Sequence, residues 1–201
     1  MINKTAYRLA IIVWAVLALG CSQPTPTSNS ADQALSQSSG SPTTVAPSDA
    51  VKKKLLDAKD ALFIKLSGKL MQTMSEQGAV AAIAVCQQEA PLIAKTISEQ
   101  HGVQIGRVGV RLRNPNNRVP EWATTLVESK TDTPTFLNLE NGQQAALLPI
   151  KLQATCLMCH GPKEQIAADV LAAISERYPD DQAVGFQEGE LRGWFWVVDS
   201  K

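Results

Sequence analysis

Residues 156–160 read Cys-Leu-Met-Cys-His, and Gly161 follows them directly. The pattern C-x-x-C-H is the signature of covalent c-type haem attachment. Two thiols at this spacing can both form thioethers with the vinyl groups along one edge of a porphyrin, and the adjacent His then ligates the iron. The sequence therefore predicts one haem c bonded to Cys156 and Cys159, with His160 as an axial ligand.

Two other uses of paired cysteines fit this chain less well. A structural zinc site needs four ligands, and only Cys86 and His101 remain once Cys21 is assigned to the N-terminal signal. A thioredoxin-like dithiol is expected after the first strand of a βαβ unit, whereas residues 156–160 lie near the C-terminus.

The N-terminus predicts export. Residues 1–20 have the form of a signal peptide, because a basic start precedes the apolar residues 11–19, which are too few for an ordinary membrane span. The sequence Ala18-Leu19-Gly20-Cys21 resembles a bacterial lipobox, although Ala18 stands where Leu is common. We expect lipidation of Cys21 and attachment to a membrane. A secretory signal with an incidental Cys21 and an uncleaved anchor are the alternatives, and each places the protein outside the cytoplasm.

Composition divides the remainder into two parts. Residues 21–48 are rich in Ser, Thr, Pro and Gln, so this lipidated N-terminus should continue as a disordered linker. Residues 49–201 have the size of one domain. After residues 1–20 are removed, 17 basic and 19 acidic side chains remain, and no basic patch of the kind that binds nucleic acid is present.

Hydrophobic spacing predicts two long helices at the start of this domain. The first runs from a Ser48 or Asp49 cap to about residue 77, and the second covers about residues 79–100. Pro91 should bend the second helix close to Cys86.

The later part of the domain is predicted to form a small antiparallel sheet. Apolar and polar residues alternate strictly over residues 107–113, which indicates a strand with its valines on one face. Strands are also expected near 135–139 and 145–153, a helix over 164–177, and a closing hairpin from 183–187 and 192–198. The fold class is therefore α+β, with two long N-terminal helices ahead of the sheet.

This order of elements excludes two common monohaem cytochromes. The class I type carries its haem motif near the N-terminus and a Met ligand downstream, whereas no Met follows Met158 here. The four-helix c-prime type has no place for the predicted strands.

From about residue 50 to 200 the chain resembles the single-haem c-type domains of PAS-like fold that are common in bacterial sensors. The resemblance rests on four segments in the same order: residues 86–91 (CQQEAP), 113–117 (RNPNN) followed by Trp122, 156–161, and 183–193 with its ending Leu-Arg-Gly. The link over residues 117–121 is slightly longer than in the family.

The residues alone leave the second axial ligand open. A Cys on an apolar helical face is often only a small buried side chain, but Cys86 is a stronger candidate than His101, and a vacant position is the remaining possibility. Met71 and Met74 are expected to fill the core. Met158 lies inside the segment 156–161, which we call the attachment loop. The family resemblance implies a Cys thiolate opposite the motif His, which here means Cys86 opposite His160.

Arg111 and Arg113 are the candidates for binding the haem propionates, because carboxylates need cationic partners. Arg113 also belongs to the family motif. Arg107 shares their strand face, but a solvated position fits it equally well.

These features favour a non-enzymatic role. Two histidines and no phosphate-binding loop exclude the usual triads and nucleotide sites. A thiolate ligand stabilises ferric iron, so the sequence predicts a low-potential haem that senses redox state or a small gas. The alternative is an electron-transfer cytochrome that serves a redox partner protein.

Overall fold

The computed structural model describes residues 47–200. The predictions for the signal peptide, for Cys21 and for most of the linker lie outside these residues. Among the described helices, none combines the length and the apolar character needed to cross a bilayer.

Two helical segments open the domain, as predicted. Helix α1 spans Asp49–Gln77, and the Ser48 hydroxyl caps it by accepting a hydrogen bond from the Val51 N–H at 3.4 Å. The second segment is divided into α2 (Ala79–Ala84), a π-helix (Val85–Glu89) and α3 (Ala90–His101). Gly102 ends it in the left-handed conformation.

Four antiparallel strands form one sheet in the order β1-β4-β3-β2. The strands are β1 (Val103–Gly109), β2 (Thr135–Asn138), β3 (Gln144–Lys151) and β4 (Leu191–Asp199). Three short helices complete the domain, namely α4 (Thr124–Glu128), α5 (Leu157–His160) and α6 (Ala168–Arg177). The predicted α+β class is confirmed, and the architecture is consistent with a PAS-like fold.

Both faces of this sheet are covered. Helices α1 and α3 pack on one face through a core that includes Leu55, Leu62 and Ile97. The other face packs Trp194 and Leu147 against the segment that follows β1. Gln104 of β1 is exposed, whereas Arg107, on the face that α1 and α3 cover, is partly buried.

The prediction for the first strand was wrong in its limits. Val108, Val110 and Leu112 do share one apolar cluster, as the alternation predicted. However, β1 starts at Val103, because Val103 and Ile105 are buried under the helices, and its pairing with β4 ends at Gly109. Arg111 and Arg113 therefore follow the strand instead of lying in it.

Two predictions for the C-terminal region need correction. Helix α6 begins at Ala168 rather than at residue 164, after a 3₁₀ turn over Lys163–Gln165. The predicted hairpin does not form, because β4 is already paired on its two edges by β1 and β3. The backbone of residues 183–187 instead bonds to the attachment loop, with Gly185 N–H donating to Gly161 O at 2.7 Å and Phe186 N–H donating to His160 O at 3.0 Å.

Candidate functional site

A cavity of about 240 Å³ brings together the four principal residues that the sequence singled out. Cys156, Cys159 and His160 line it from the attachment loop, and Cys86 lines it from the π-helix. Most of the remaining wall is apolar and includes Phe63, Leu66, Leu70, Ile83, Ile150 and Phe195.

The attachment loop is a tight turn. Cys156 ends a 3₁₀ turn and Cys159 lies in α5, so both side chains reach the cavity from one short segment. A Cβ at Gly161 would lie 2.7 Å from Leu157 O, which explains why glycine follows the histidine. Burial raises the pKa of the Cys159 thiol, with the charge of Arg113 acting in the opposite direction.

His160 is held as a neutral imidazole with a defined tautomer. Its Nδ1 lies 2.6 Å from the Ala183 carbonyl oxygen, which only accepts hydrogen bonds, so Nδ1 carries the hydrogen. Burial and the nearby Arg113 and Arg192 charges lower the pKa of His160 to about 3. Its Nε2 therefore keeps a free lone pair, which is the state that a metal requires of histidine.

Arg113 fastens the attachment loop to residues 181–183. Its guanidinium forms a two-pronged ion pair with Asp181, both N–O distances being 3.1 Å, and both side chains are buried. The same group donates to Cys159 O at 2.7 Å and to Ala183 O at 3.3 Å. Since Ala183 O also accepts from His160, Arg113 helps to fix the imidazole.

Cys86 lies in a part of the second helix that is wound as a π-helix. Pro91 lacks the N–H that would bond to Gln87 O, and its ring would crowd that carbonyl in a regular helix. The wider π turn over residues 85–89 relieves this conflict, so the bend predicted near Cys86 takes this form. Gln87 then ties the turn to the end of α6 through hydrogen bonds with Arg177 O and Arg177 Nη1, at 3.3 and 3.2 Å.

The other ligand candidates lie in different environments. His101 is the last residue of α3 and is not among the residues that line the cavity. Met71 and Met158 are 49% and 47% exposed, respectively. Met74 was predicted to fill the core but lines the cavity, so its thioether sulfur joins the three cysteine thiols there.

Three arginines line the cavity, and only one of the two expected residues is among them. Arg113 is one of them, but Arg111 is not, and its guanidinium stacks 3.8 Å from the centre of the Phe186 ring. Arg107 and Arg192 are the other two. Arg192 precedes Gly193 in the C-terminal segment that carries the family resemblance, which was the signal that could have identified it.

The chemistry of these groups fits a covalently attached haem. Two thiols and a neutral imidazole converge from one wall, a third thiol enters from another wall, and the space between them is apolar with cationic groups. Residues 47–200 contain no cluster of three or more His, Cys, Asp or Glu side chains that could hold a metal ion by themselves. Among the cavity residues, His160 and Cys86 are available as ligands to the iron of such a group.

The chain belongs to the Tll0287-like family, whose sequence model matches residues 27–198. Among solved structures, it is similar to the crystal structure of the cyanobacterial heme-protein Tll0287, with 27% identity and a TM-score of 0.56. That match covers 76% of this chain and 96% of the solved one. A comparison with curated proteins gives no match.

Proposed function

We propose that this protein binds one haem c through thioether bonds to Cys156 and Cys159, with His160 and Cys86 as the axial ligands. The convergence of these four side chains on one cavity is the observation that carries the proposal. The solved relative is a heme-protein by its title, which supports the same cofactor here.

The bound haem would supply an iron that changes oxidation state and exchanges axial ligands. The chain's own residues would set how readily this happens. Cys86 as an anionic thiolate favours the ferric state, so the midpoint potential is low. The Ala183 carbonyl increases electron donation by His160 through the hydrogen bond to Nδ1.

A sensor of redox state or of a small gas is the role that this ligand pair favours. Ferrous iron would bind a thiolate less strongly than ferric iron, so Cys86 is the ligand that would leave on reduction. The π-helix supports this role, because π turns in helices occur frequently at functional sites and are less regular than the α-helix around them. The proposal assigns no catalytic reaction to the protein.

Electron transfer to a partner protein is the alternative. It is favoured by the exposure of Met158, which shows that the attachment loop reaches the solvent. A redox partner would then approach the cofactor at this surface.

The proposal includes export and a membrane anchor. Haem c attachment is completed outside the cytoplasm in bacteria, in agreement with the signal peptide predicted over residues 1–20 and with lipidation at Cys21. Mass spectrometry of the mature N-terminus tests this part, since an unmodified chain that begins at Met1 would contradict it.

The attachment is tested by extraction with acidified organic solvent. Haem should stay with the wild-type chain, whereas the double variant Cys156→Ala/Cys159→Ala should release it or contain none. Haem that resists extraction from the double variant would contradict the thioether assignment.

The sixth ligand is tested with three single variants. Cys86→Ala should keep the haem, raise the midpoint potential and allow immediate CO binding, because an anionic donor is lost while the thioethers and His160 remain. Met74→Leu and His101→Ala should change neither the spectrum nor the potential. If one of these two controls lost the low-spin spectrum while Cys86→Ala kept it, the sixth ligand would be Met74 or His101 instead of Cys86.

Carbon monoxide also separates the two roles in the wild-type protein. Binding of CO to the reduced form would indicate that Cys86 leaves the iron on reduction, as a sensor requires. A ferrous spectrum that CO does not alter would favour the electron carrier.

A further inference from the structure

The cavity contains positive charge that the carboxylates of residues 47–200 do not fully neutralise. Arg107, Arg113 and Arg192 line it, and its lining includes no Asp or Glu. Asp181 neutralises Arg113 from behind the lining. No described carboxylate forms an ion pair with Arg107 or Arg192.

Arg107 has fewer contacts for its guanidinium than Arg192 has. It lies on the helix-covered face of β1 with Val103 and Ile105, and its guanidinium makes no hydrogen bond with the part of the chain that the structure describes. Burial lowers its pKa, and the nearby Cys86 acts in the opposite direction. A partly buried guanidinium without a partner is costly unless an anion meets it.

Arg192 reaches the cavity across β1. Its Nη1 donates to Arg111 O at 2.9 Å, and its other N–H groups have no acceptor among the described residues. A Cβ at residue 109 would clash with that Nη1, so Gly109 provides the space in which the side chain lies. Burial, followed by the charges of Arg113 and Arg107, lowers the pKa of Arg192 to about 10.

We infer that Arg107 and Arg192 bind the two propionate carboxylates of the haem. The inference rests on the proposed function. Haem c carries two propionates, and the cavity presents two uncompensated guanidiniums, so the charges balance. A guanidinium also matches a carboxylate geometrically, because it can donate two parallel hydrogen bonds.

The two arginines favoured by the sequence are occupied elsewhere. Arg113 uses Nε and Nη2 on Asp181, Cys159 O and Ala183 O, and Asp181 already balances its charge. Arg111 stacks on Phe186 outside the cavity lining. Arg113 therefore carries no uncompensated charge for a propionate, and a move of Arg111 would cost its contact with Phe186. Arg107 has no hydrogen bond to lose, and Arg192 has one, to Arg111 O, which it can keep while its other N–H groups bind a propionate.

The test uses the full-length haem-loaded protein and single substitutions. Arg107→Gln and Arg192→Gln each keep a polar side chain of similar length but remove the charge. Arg107→Lys and Arg192→Lys restore the charge without the two-pronged geometry. Arg118→Gln, which removes an exposed arginine outside the cavity, is the matched control.

Resonance Raman spectra report the propionate bending bands, and redox titration reports the midpoint potential. Each Gln variant should shift a propionate band and lower the potential, because an uncompensated carboxylate stabilises ferric iron. The Lys variants should recover most of the potential while the band stays shifted, and Arg118→Gln should change neither quantity.

Several results would overturn the inference. Covalent haem with unchanged propionate bands in both Gln variants would refute it while the proposed function stands. A band shift in Arg111→Gln but not in Arg192→Gln would return the role to Arg111. A change in the thiolate absorption of Arg107→Gln without a band shift would assign Arg107 to Cys86 instead. A wild-type chain without covalent haem would refute the proposed function itself.

Discussion

Replacement of Arg113 by Met should destabilise the domain far more than the loss of an ordinary surface charge. Arg113 and Asp181 are only 10% and 8% exposed, and two 3.1 Å contacts join them. Removing one partner of a buried ion pair costs about 3–5 kcal/mol, since the other charge stays buried and unpaired. The carbonyls of Cys159 and Ala183 lose their donor as well.

The matched control is Lys53→Met. Lys53 and Asp57 form an ion pair at 2.6 Å, but their side chains are 75% and 48% exposed. Such pairs contribute about 0.2–1 kcal/mol. Urea unfolding followed by far-ultraviolet circular dichroism measures the free energy of unfolding of both variants and of the wild type, all loaded with haem.

A double variant separates the effect of the ion pair from the effect of lost side-chain packing. The variant Arg113→Met/Asp181→Leu removes both charges, so it should lose less than the sum of the two single variants. An Arg113→Met variant that loses no more than Lys53→Met would refute the reasoning. Strict additivity in the double variant would also refute it, because the two side chains would then not interact.

Three further predictions concern packing, protonation and a single hydrogen bond. Gly106→Ala should destabilise the domain by about 1–3 kcal/mol, because a Cβ there collides with the Trp196 indole. Gly68→Ala lies in an open position of α1 and should stabilise the domain by about 0.5–1 kcal/mol. Equal shifts of the melting temperature in the two variants would contradict this. In the haem-free chain the folded pKa of His160 is lowered to about 3 from 6.5, so the unfolded state binds the proton first and stability falls as pH drops through this window. Urea titrations at several pH values should show that the unfolding constant of the wild type changes by up to tenfold per pH unit more than that of His160→Gln. The same pH dependence in both proteins would show that His160 is solvated. Trp194→Phe removes the 2.6 Å bond from Nε1 to Thr131 O and should cost about 1–3 kcal/mol in thermal denaturation, whereas a neutral result would mean that this bond is not formed.

The features that the sequence predicted well are those set by local interactions. Ser48 and Gly78 mark the ends of α1 by themselves, because a cap acts within one turn of its helix. The motif at residues 156–160 is likewise contiguous, so its two Cys and its His could be singled out without tertiary information, and the structure places all three at one cavity. Cys86 was favoured because few other ligand candidates remain and because of the family resemblance, since a Cys on an apolar helix face has the same local pattern whether or not it reaches a cavity.

The features that were missed depend on which segments meet in space. Residues 183–187 have a strand-like composition, but their partner is the attachment loop, because β4 has no free edge. Arg107 alternates with valines as a solvated residue would, and only the packing of α1 and α3 on that face turns it into a cavity residue. Met74 reaches the same cavity for the same reason.

Mass spectrometry of the full-length chain, produced in a bacterium that matures c-type cytochromes, tests the central claim most directly. The account predicts that the mass exceeds that of the mature polypeptide by one haem, and that the digest places this addition on the peptide with Cys156 and Cys159. Both cysteines recovered as free thiols, without added haem mass, would contradict it.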